Sequence, residues 1–237
     1  MLSSDRHAAS PQEGQAEKAT PRVGVIMLDT QFPRIKGDIG NPESFLVPPL
    51  METAFNVHVS DIVRIERVAS SSAQRLTGAA KTLEARGADI VTTSCGFLHG
   101  VQSQLASAVG VPLVASSLSL TVQLARRGHA IGLLTADASA LAPALEGIAV
   151  PFIVEGLETS QAFHKAILAD GDSLDCGAIQ NDTVNAALRA KARGATCILL
   201  ECTNLPPYRD AIETASYLPV FDIFDAVESA AAARVRA

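Results

Sequence analysis

The chain has 237 residues, a formal net charge of −6 and 48% hydrophobic residues, and only 19% of its residues are charged. This balance excludes an intrinsically disordered chain and predicts a folded protein with a large aliphatic core. The acidic sum, without a long Lys/Arg cluster, argues against a nucleic-acid-binding protein and against a basic membrane-binding patch.

The beginning of the chain, residues 1–21, is polar and mixed in charge, and we predict a disordered tail there. It lacks the apolar segment of a secretory signal. A stretch without Asp, Glu, Lys or Arg lies between Asp89 and Arg126, but Gln, Ser, Gly and Pro interrupt it, so buried α/β structure explains it better than a membrane span. We expect a cytoplasmic protein whose four cysteines are free thiols.

Short apolar runs and helical stretches alternate along the rest of the chain. The predicted strands are Val23 to Leu28, Ile90 to Thr93, Pro112 to Val114, Ala130 to Leu134, Phe152 to Val154, Thr196 to Leu200 and Pro219 to Phe221. The predicted helices are Ala73 to Arg86, Thr183 to Arg193 and Phe224 to Ala233, and a Gly that suits a left-handed C-cap follows each of the first two. Continuous apolar strands alternating with helices predict open parallel α/β sheets.

The chain repeats itself at an offset of about 107 residues. The segment RGADIVTTSCGFL (86–98) aligns with RGATCILLECTNL (193–205), and VGVIMLDT (23–30) aligns with IGLLTADA (131–138) at the neighbouring offset. The repeat predicts two pseudo-symmetric lobes with the active site in the cleft between them. We assign residues 22–118 and 213–237 to lobe one and residues 119–212 to lobe two.

The repeat places Cys95 and Cys202 at equivalent positions, each just after a strand and just before a helix. Ligands of open α/β sheets bind at the carboxyl ends of the strands. Two thiols that face one cleft from opposite lobes suit the inversion of a stereocentre, in which a base removes a proton from one face and an acid returns one to the other. A thiol whose pKa is lowered at a helix N-terminus can do either. Cys197, inside a strand, and Cys176 are interpreted as packing residues.

At these residues the sequence resembles the aspartate/glutamate racemase superfamily of cofactor-independent racemases. The resemblance covers most of residues 22–230 and is most specific at Glu201 to Pro206, which is similar to the family's Cys-Thr turn. It implies catalysis by Cys95 and Cys202 without a cofactor or a metal ion, and binding of the substrate carboxylate by Thr203. The predicted substrate-binding residues are Asp29, Thr30, Arg34, Ser94, Gly96, Phe97, Ser116, Ser117, Thr135, Thr203 and Asn204.

The sequence departs from the family pattern next to both cysteines. Gly96-Phe97 stands where many members have Asn-Thr, and Asn204 stands where glutamate racemases often have His. The loop at residues 29–45 is also longer than the usual family turn. The first expectation is racemisation of a small anionic amino acid similar to aspartate or glutamate. Hydantoin racemisation and maleate cis–trans isomerisation are the alternatives within the superfamily, whereas two cysteines disfavour arylmalonate decarboxylation, which uses one.

Two alternative interpretations lie outside the superfamily. One is a two-lobed binding protein whose cysteines are incidental. The other is a Cys–His–Asp hydrolase, which would leave one thiol unexplained. The histidines show no metal-ligand spacing, and no glycine-rich phosphate loop follows a strand. His99 could orient the Cys95 thiol, although a histidine satisfied by local hydrogen bonds is the simpler interpretation. Arg34 and Lys36 could contribute positive charge, Lys36 with less support. A homodimer is possible, as in similar proteins.

Overall fold

The computed structural model describes residues 20–63 and 68–234. The predicted tail at residues 1–21 therefore falls almost wholly outside the described residues. The strands are β1 (Val23–Leu28), β2 (Leu50–Ala54), β3 (Ile90–Thr93), β4 (Leu113–Val114), β5 (Ile131–Thr135), β6 (Phe152–Gly156), β7 (Cys197–Leu200) and β8 (Val220–Phe221). All seven predicted strands are present, and β2 is an additional one.

The helices alternate with the strands. They are α1 (Ser70–Ala85), α2 (Gln102–Ala106), α3 (Thr121–Arg126), α4 (Ala138–Leu145), α5 (Gln161–Phe163), α6 (Cys176–Ala192), α7 (Arg209–Ser216) and α8 (Ile223–Arg234). Gly87 and Gly194 follow α1 and α6 at φ of 87° and 102°, in the left-handed region that closes a helix. No helix in the described part of the chain is long and apolar enough to cross a membrane.

The strands form two four-stranded parallel sheets of the same topology. Their strand orders are β2-β1-β3-β4 and β6-β5-β7-β8. In both, the first strand of the repeat pairs with the second and third, and the third pairs with the fourth. This topology confirms the two pseudo-symmetric α/β lobes that the sequence repeat predicts.

The end of the chain corrects the predicted lobe boundary. The sequence repeat predicts residues 213–237 in lobe one, but β8 pairs in parallel with β7 of the second sheet, and α7 packs on α6. Only α8 returns to the first lobe, where it packs against β3 and β4. The end of the chain thus completes the second sheet before crossing back.

The two lobes differ in one connection. Parallel neighbours need a crossover, which is usually helical. Between β5 and β6 the crossover contains α4, whereas residues 29–49 between β1 and β2 contain only the short 3-10 turn Pro42–Ser44. We call residues 29–45 the first loop. The loop extends toward the second lobe, where Gly37, at φ of 101°, lies against the backbone of Pro207.

Three apolar clusters form the core. One lies in the first lobe, and one lies mainly in the second lobe but includes Phe32, Val59 and Val63 of the first. The third joins strands of both sheets, with Val25 and Ile90 from the first sheet and Leu133 and Leu199 from the second. Cys197 is fully buried in this shared cluster, which agrees with its interpretation as a packing residue. The shared cluster packs β3 and β7 against each other.

Candidate active site

The two predicted catalytic cysteines occupy equivalent turns. Cys95 follows β3 and Cys202 follows β7, and each cysteine carbonyl accepts a 3.1 Å hydrogen bond from the backbone N–H three residues later, at Leu98 and Leu205. Both cysteines line one cavity, which also contacts Gly96, Thr203 and Asn204. The structure therefore brings a thiol from each lobe to a common space.

The cavity is small and mostly apolar. Its volume is about 20 Å³, which is room for about one water molecule. A substrate can therefore enter only if part of the lining moves. The apolar lining comes mainly from residues that sequence reasoning did not select: Leu28, Phe32, Val59, Val63, Ala136, Ile167 and Leu168.

Burial dominates the acidity of both thiols. Burial first and then the neighbouring Glu201 carboxyl raise the pKa of Cys95, and the net value is about 12 although hydrogen bonds from the Phe97 and Leu98 N–H groups and the charge of Arg34 lower it. Burial and then Glu201 also raise the pKa of Cys202 well above its ordinary value. The expectation of thiols with lowered pKa is therefore wrong: the turn N–H groups do stabilise the thiolates, but desolvation outweighs them.

Arg34 is the cation among the described residues that line the cavity. Its side chain is 10% exposed, lines the cavity and lies 4.4 Å from the centre of the Phe32 ring. Its guanidinium donates to Asp38 Oδ1 at 2.8 Å and to Thr30 Oγ1 at 3.1 Å. The predicted substrate-binding residues Thr30 and Arg34 are thus both at the cavity, and their hydrogen bonds hold the guanidinium in place.

The first loop is tied to the second lobe. Asp38, which is 3% exposed, accepts a 2.7 Å hydrogen bond from Asn204 Nδ2. At the start of the loop, Asp170 Oδ1 accepts from the backbone N–H groups of Gln31 and Phe32 at 2.7 and 3.3 Å. The loop therefore joins the lobes over the cavity.

Other polar groups of the predicted set reach the cavity. The Oγ1 of Thr203 is buried and has no hydrogen-bond partner within the described residues, so it is available to a bound molecule. Ser94 Oγ accepts from the backbone N–H of Leu28 at 2.9 Å, which ties the turn before Cys95 to β1. Gly96 and Phe97 complete the set of predicted residues that line the cavity.

Four predicted substrate-binding residues do not line the cavity. Asp29 accepts from the Asn56 N–H, Ser116 caps the turn at residues 117–120, and Ser117 donates to the Leu200 carbonyl. Thr135 donates to Glu201 Oε2 at 2.8 Å. Each of these side chains is used to hold a strand end or a turn, because the polar groups of a buried strand end must find partners within the protein.

Glu201 is a residue that sequence reasoning quoted without assigning it a role. It is fully buried, its Oε1 has no hydrogen-bond partner among the described residues, and burial raises its pKa to about 7 although Thr135 lowers it. A carboxyl group directly after the apolar run Cys197–Leu200 is an available signal in the sequence, because a charged residue is rarely buried without a reason.

Within the described residues, no hydrogen bond joins His99 Nδ1 to the Cys95 thiol. Burial lowers the pKa of His99, and its Nδ1 is buried and has no hydrogen-bond partner among the described residues. The expectation of a histidine satisfied by local hydrogen bonds does not hold for that atom. All four cysteines lie in the described part of the chain and are free, as predicted.

Comparison with known proteins adds three findings. A family model described as Asp/Glu/Hydantoin racemase matches residues 48–234. The chain is 31% identical to dimethylsulfoniopropionate lyase 7 of Emiliania huxleyi over 90% of this chain and 67% of that protein. It is 28% identical to dimethylsulfoniopropionate lyase 5 of the same organism over 96% of this chain and 48% of that protein. The chain thus spans about half to two thirds of the length of these curated relatives.

Solved structures share the fold. Allantoin racemase from Klebsiella pneumoniae superposes with a TM-score of 0.61, covering 90% of this chain and 88% of that one at 15% sequence identity. At this level of identity the match shows the two-lobed architecture alone.

Proposed function

We propose a proton transfer at the carbon next to a carboxylate as the reaction of this chain, which belongs to the Asp/Glu/hydantoin racemase family and is an enzyme. Cys95 and Cys202 are the groups that remove and return the proton. The observation that carries the proposal is that equivalent turns of the two lobes present these thiols to one cavity. Because the family consists of enzymes, the alternative interpretation as a binding protein with incidental cysteines is rejected.

The cavity offers groups for each part of the reaction. The Arg34 guanidinium and the unpartnered Thr203 hydroxyl are donors for a substrate carboxylate. A thiolate on one side takes the α-proton, and the developing negative charge spreads onto the carboxylate that these donors hold. The thiol on the other side then supplies a proton. Because the cavity is small and largely apolar, the carboxylate and the thiolate meet in a dry environment, where electrostatic interactions are strong.

Racemisation of a small amino acid is the first candidate. It needs an acid and a base on opposite faces of the α-carbon. The positions of Cys95 and Cys202, which follow strands of separate sheets and line one cavity, support this candidate. The described lining residues narrow the substrate class. Arg34 is the cation among them and is already paired with Asp38, and the Glu201 carboxyl group lies nearby. A second substrate carboxylate would have no counter-charge among the described lining residues, which favours a monocarboxylate with a small side chain over aspartate, glutamate or maleate.

β-Elimination from a sulfonium carboxylate is the second candidate. The curated relatives named above are dimethylsulfoniopropionate lyases. Elimination from that sulfonium carboxylate can start with the same removal of a proton next to a carboxylate. The apolar lining supports this candidate, since Phe32 and Phe97 can receive the methyl groups and the positive charge of a sulfonium group. The thiolate takes the α-proton, and the electrons left on the α-carbon form a double bond to the β-carbon. The bond from the β-carbon to sulfur breaks, dimethyl sulfide leaves with its electrons, and acrylate is the other product.

One experiment tests the proposal and separates its branches. The protein is incubated in deuterated water with small amino acids, aspartate, glutamate, hydantoins and dimethylsulfoniopropionate. We expect α-deuterium incorporation in at least one substrate class. Change in optical rotation identifies a racemase, and released dimethyl sulfide identifies a lyase. If no substrate exchanges its α-proton and none is converted, the proposed reaction is wrong.

A further inference from the structure

Glu201 joins the two cysteine turns. It precedes Cys202 in the second lobe, and both its carbonyl oxygen and its Oε1 press against Gly96, which follows Cys95 in the first lobe. A Cβ on Gly96 would overlap both oxygens. The carboxyl group therefore lies between the two thiol-bearing turns, and the absence of a side chain at residue 96 makes the space for it.

The Glu201 carboxyl group is buried, and one of its two oxygens lacks a hydrogen-bond partner among the described residues. Oε2 accepts from Thr135 at the end of β5, whereas Oε1 has no hydrogen-bond partner among the described residues. Glu201 is absent from the cavity lining, so it reaches a substrate only through the thiols. A buried carboxylate without a cation is costly unless it takes up a proton.

The charged neighbours of the thiols do not neutralise Glu201. The charge of Arg34 lowers the pKa of Cys95, but the Arg34 guanidinium is paired with Asp38. The charge of Asp38 raises the pKa of Cys202. His99, on the turn Gly96–Val101, is held toward its uncharged form by burial. Glu201 itself opposes the ionisation of both thiols.

We propose that Glu201 and the two thiols share a single negative charge, so that a catalytic thiolate exists only while Glu201 holds a proton. Glu201 is then a positioning residue for that charge and acts through Cys95 and Cys202. The inference rests on the proposed function for its catalytic meaning, but the sharing of charge is a property of the free protein. As the pH rises, the first proton leaves mainly from Glu201, and its carboxylate then opposes further thiolate formation.

The test is the pH dependence of thiol alkylation, with iodoacetamide as the probe and mass spectrometry to resolve each cysteine. Alkylation follows the thiolate, whose fraction rises about tenfold per pH unit below the pKa of the thiol. In the wild type we expect the rates at Cys95 and Cys202 to level off near pH 7. In Glu201→Gln they should keep rising and be roughly tenfold faster than in the wild type at pH 8. Cys176, a partly buried thiol outside the cavity, is the internal control and should give the same profile in both proteins.

A second pair of variants covers a failure of Glu201→Gln to fold. Thr135→Val removes the hydrogen bond that stabilises the Glu201 carboxylate, so the levelling-off should move to higher pH, whereas Thr135→Ser should retain the wild-type profile. The shared charge is overturned if the wild-type alkylation rates rise from pH 7 to pH 9 without levelling off. It is also overturned if the rates in Thr135→Val level off at the same pH as in the wild type. These rates need no substrate. If neither thiol proves essential for turnover, the proposed function fails while the charge-sharing result stands.

Discussion

Asn204 and Asp38 lie 166 residues apart in the sequence and are joined by a 2.7 Å hydrogen bond from Asn204 Nδ2 to Asp38 Oδ2. Because the amide nitrogen is used in this way, Oδ1 of Asn204 faces the other direction, where the Cys202 thiol donates to it at 3.6 Å. Asp38 in turn holds Arg34. The residue pair thus connects the expected carboxylate-binding cation to the thiol of the opposite lobe.

Asn204→Ala should lower kcat about tenfold, because the Cys202 thiol loses its acceptor and can leave its productive orientation. The variant should also lose about 1–3 kcal/mol of unfolding free energy, since Asp38 Oδ2 remains buried without its partner. Steady-state kinetics and urea unfolding measure the two effects. The exposed Asn185→Ala is the matched control. Wild-type kinetics in Asn204→Ala would show that the amide does not orient the thiol.

Cys95→Ser and Cys202→Ser should each reduce racemisation by roughly 100- to 10,000-fold, because a serine hydroxyl is a far weaker base than a thiolate. Each variant retains one thiol, so it should still exchange the α-proton of one enantiomer in deuterated water. Proton NMR of each separate enantiomer measures the exchange. Cys176→Ser, outside the cavity, should behave as the wild type. Full racemisation by either active-site variant would remove that thiol from the mechanism.

Arg34→Lys should reduce kcat/KM roughly 10- to 100-fold, mainly through KM. The lysine keeps the charge but cannot make the paired hydrogen bonds of the guanidinium to Asp38 and to a substrate carboxylate. Lys36→Ala changes an exposed cation of the same loop and should leave the kinetics unaltered. Equal losses in the two variants would point to a general effect of positive charge in the loop instead of a specific contact of Arg34.

Gly96→Ala should lower the unfolding free energy by about 1–3 kcal/mol and suppress activity, because the new methyl group displaces Glu201 and moves the turn after Cys95. Gly100→Ala, on the same 3-10 turn, is the control, since a Cβ there meets no atom within 4 Å. Thermal unfolding and activity assays should separate the two glycines. Equal stability of the two variants would mean that the turn adjusts to the added carbon at no cost.

The pKa of Glu201 also predicts how stability depends on pH. The folded-state value of about 7 lies above the ordinary value of 4.5. The folded protein therefore binds this proton more tightly, and the resulting stabilisation is complete below about pH 4.5 and is lost as the pH rises through 7. Glu201→Gln does not titrate. Its unfolding free energy should thus gain about 3 kcal/mol relative to the wild type between pH 4.5 and pH 8.

Urea unfolding of both proteins across this pH range measures the difference. Glu158→Gln, a substitution outside the cavity at a partly buried carboxyl group whose Oε2 accepts from the Ala138 N–H, is a control for loss of a carboxylate. A constant difference between wild type and Glu201→Gln would mean that Glu201 does not change its protonation in this range.

The sequence predicted the two lobes and the cysteine pair because both are local patterns repeated at a fixed offset. It did not predict β2, whose residues LMETA follow Pro48 and Pro49 and carry a Glu at the centre. As an edge strand that is only partly covered, β2 has no continuous apolar run to reveal it. Hydrogen bonding to β1 overrides its weak strand propensity.

Site residues could be predicted from the sequence only where they lie close after the end of a strand. Asp29 follows β1, but its side chain accepts a hydrogen bond from the Asn56 N–H. The orientation of the Asp29 side chain therefore depends on the turn after β2. Phe32, Val59 and Ile167 come from three separate segments and reach the cavity only through the packing of the lobes. The rise in thiol pKa likewise depends on desolvation, which is a property of the assembled core and is not encoded in the turn itself.

The first loop replaces, in one lobe only, the helical crossover that the other lobe retains, so the environments of Cys95 and Cys202 are not interchangeable. For a racemase this has a thermodynamic consequence. The equilibrium constant between enantiomers is one, so the ratio kcat/KM must be equal in the two directions whatever the protein does. The unequal surroundings can appear only as compensating differences, with the enantiomer that binds more tightly also turning over more slowly. Time courses started from each pure enantiomer should therefore differ at saturation and coincide at low concentration.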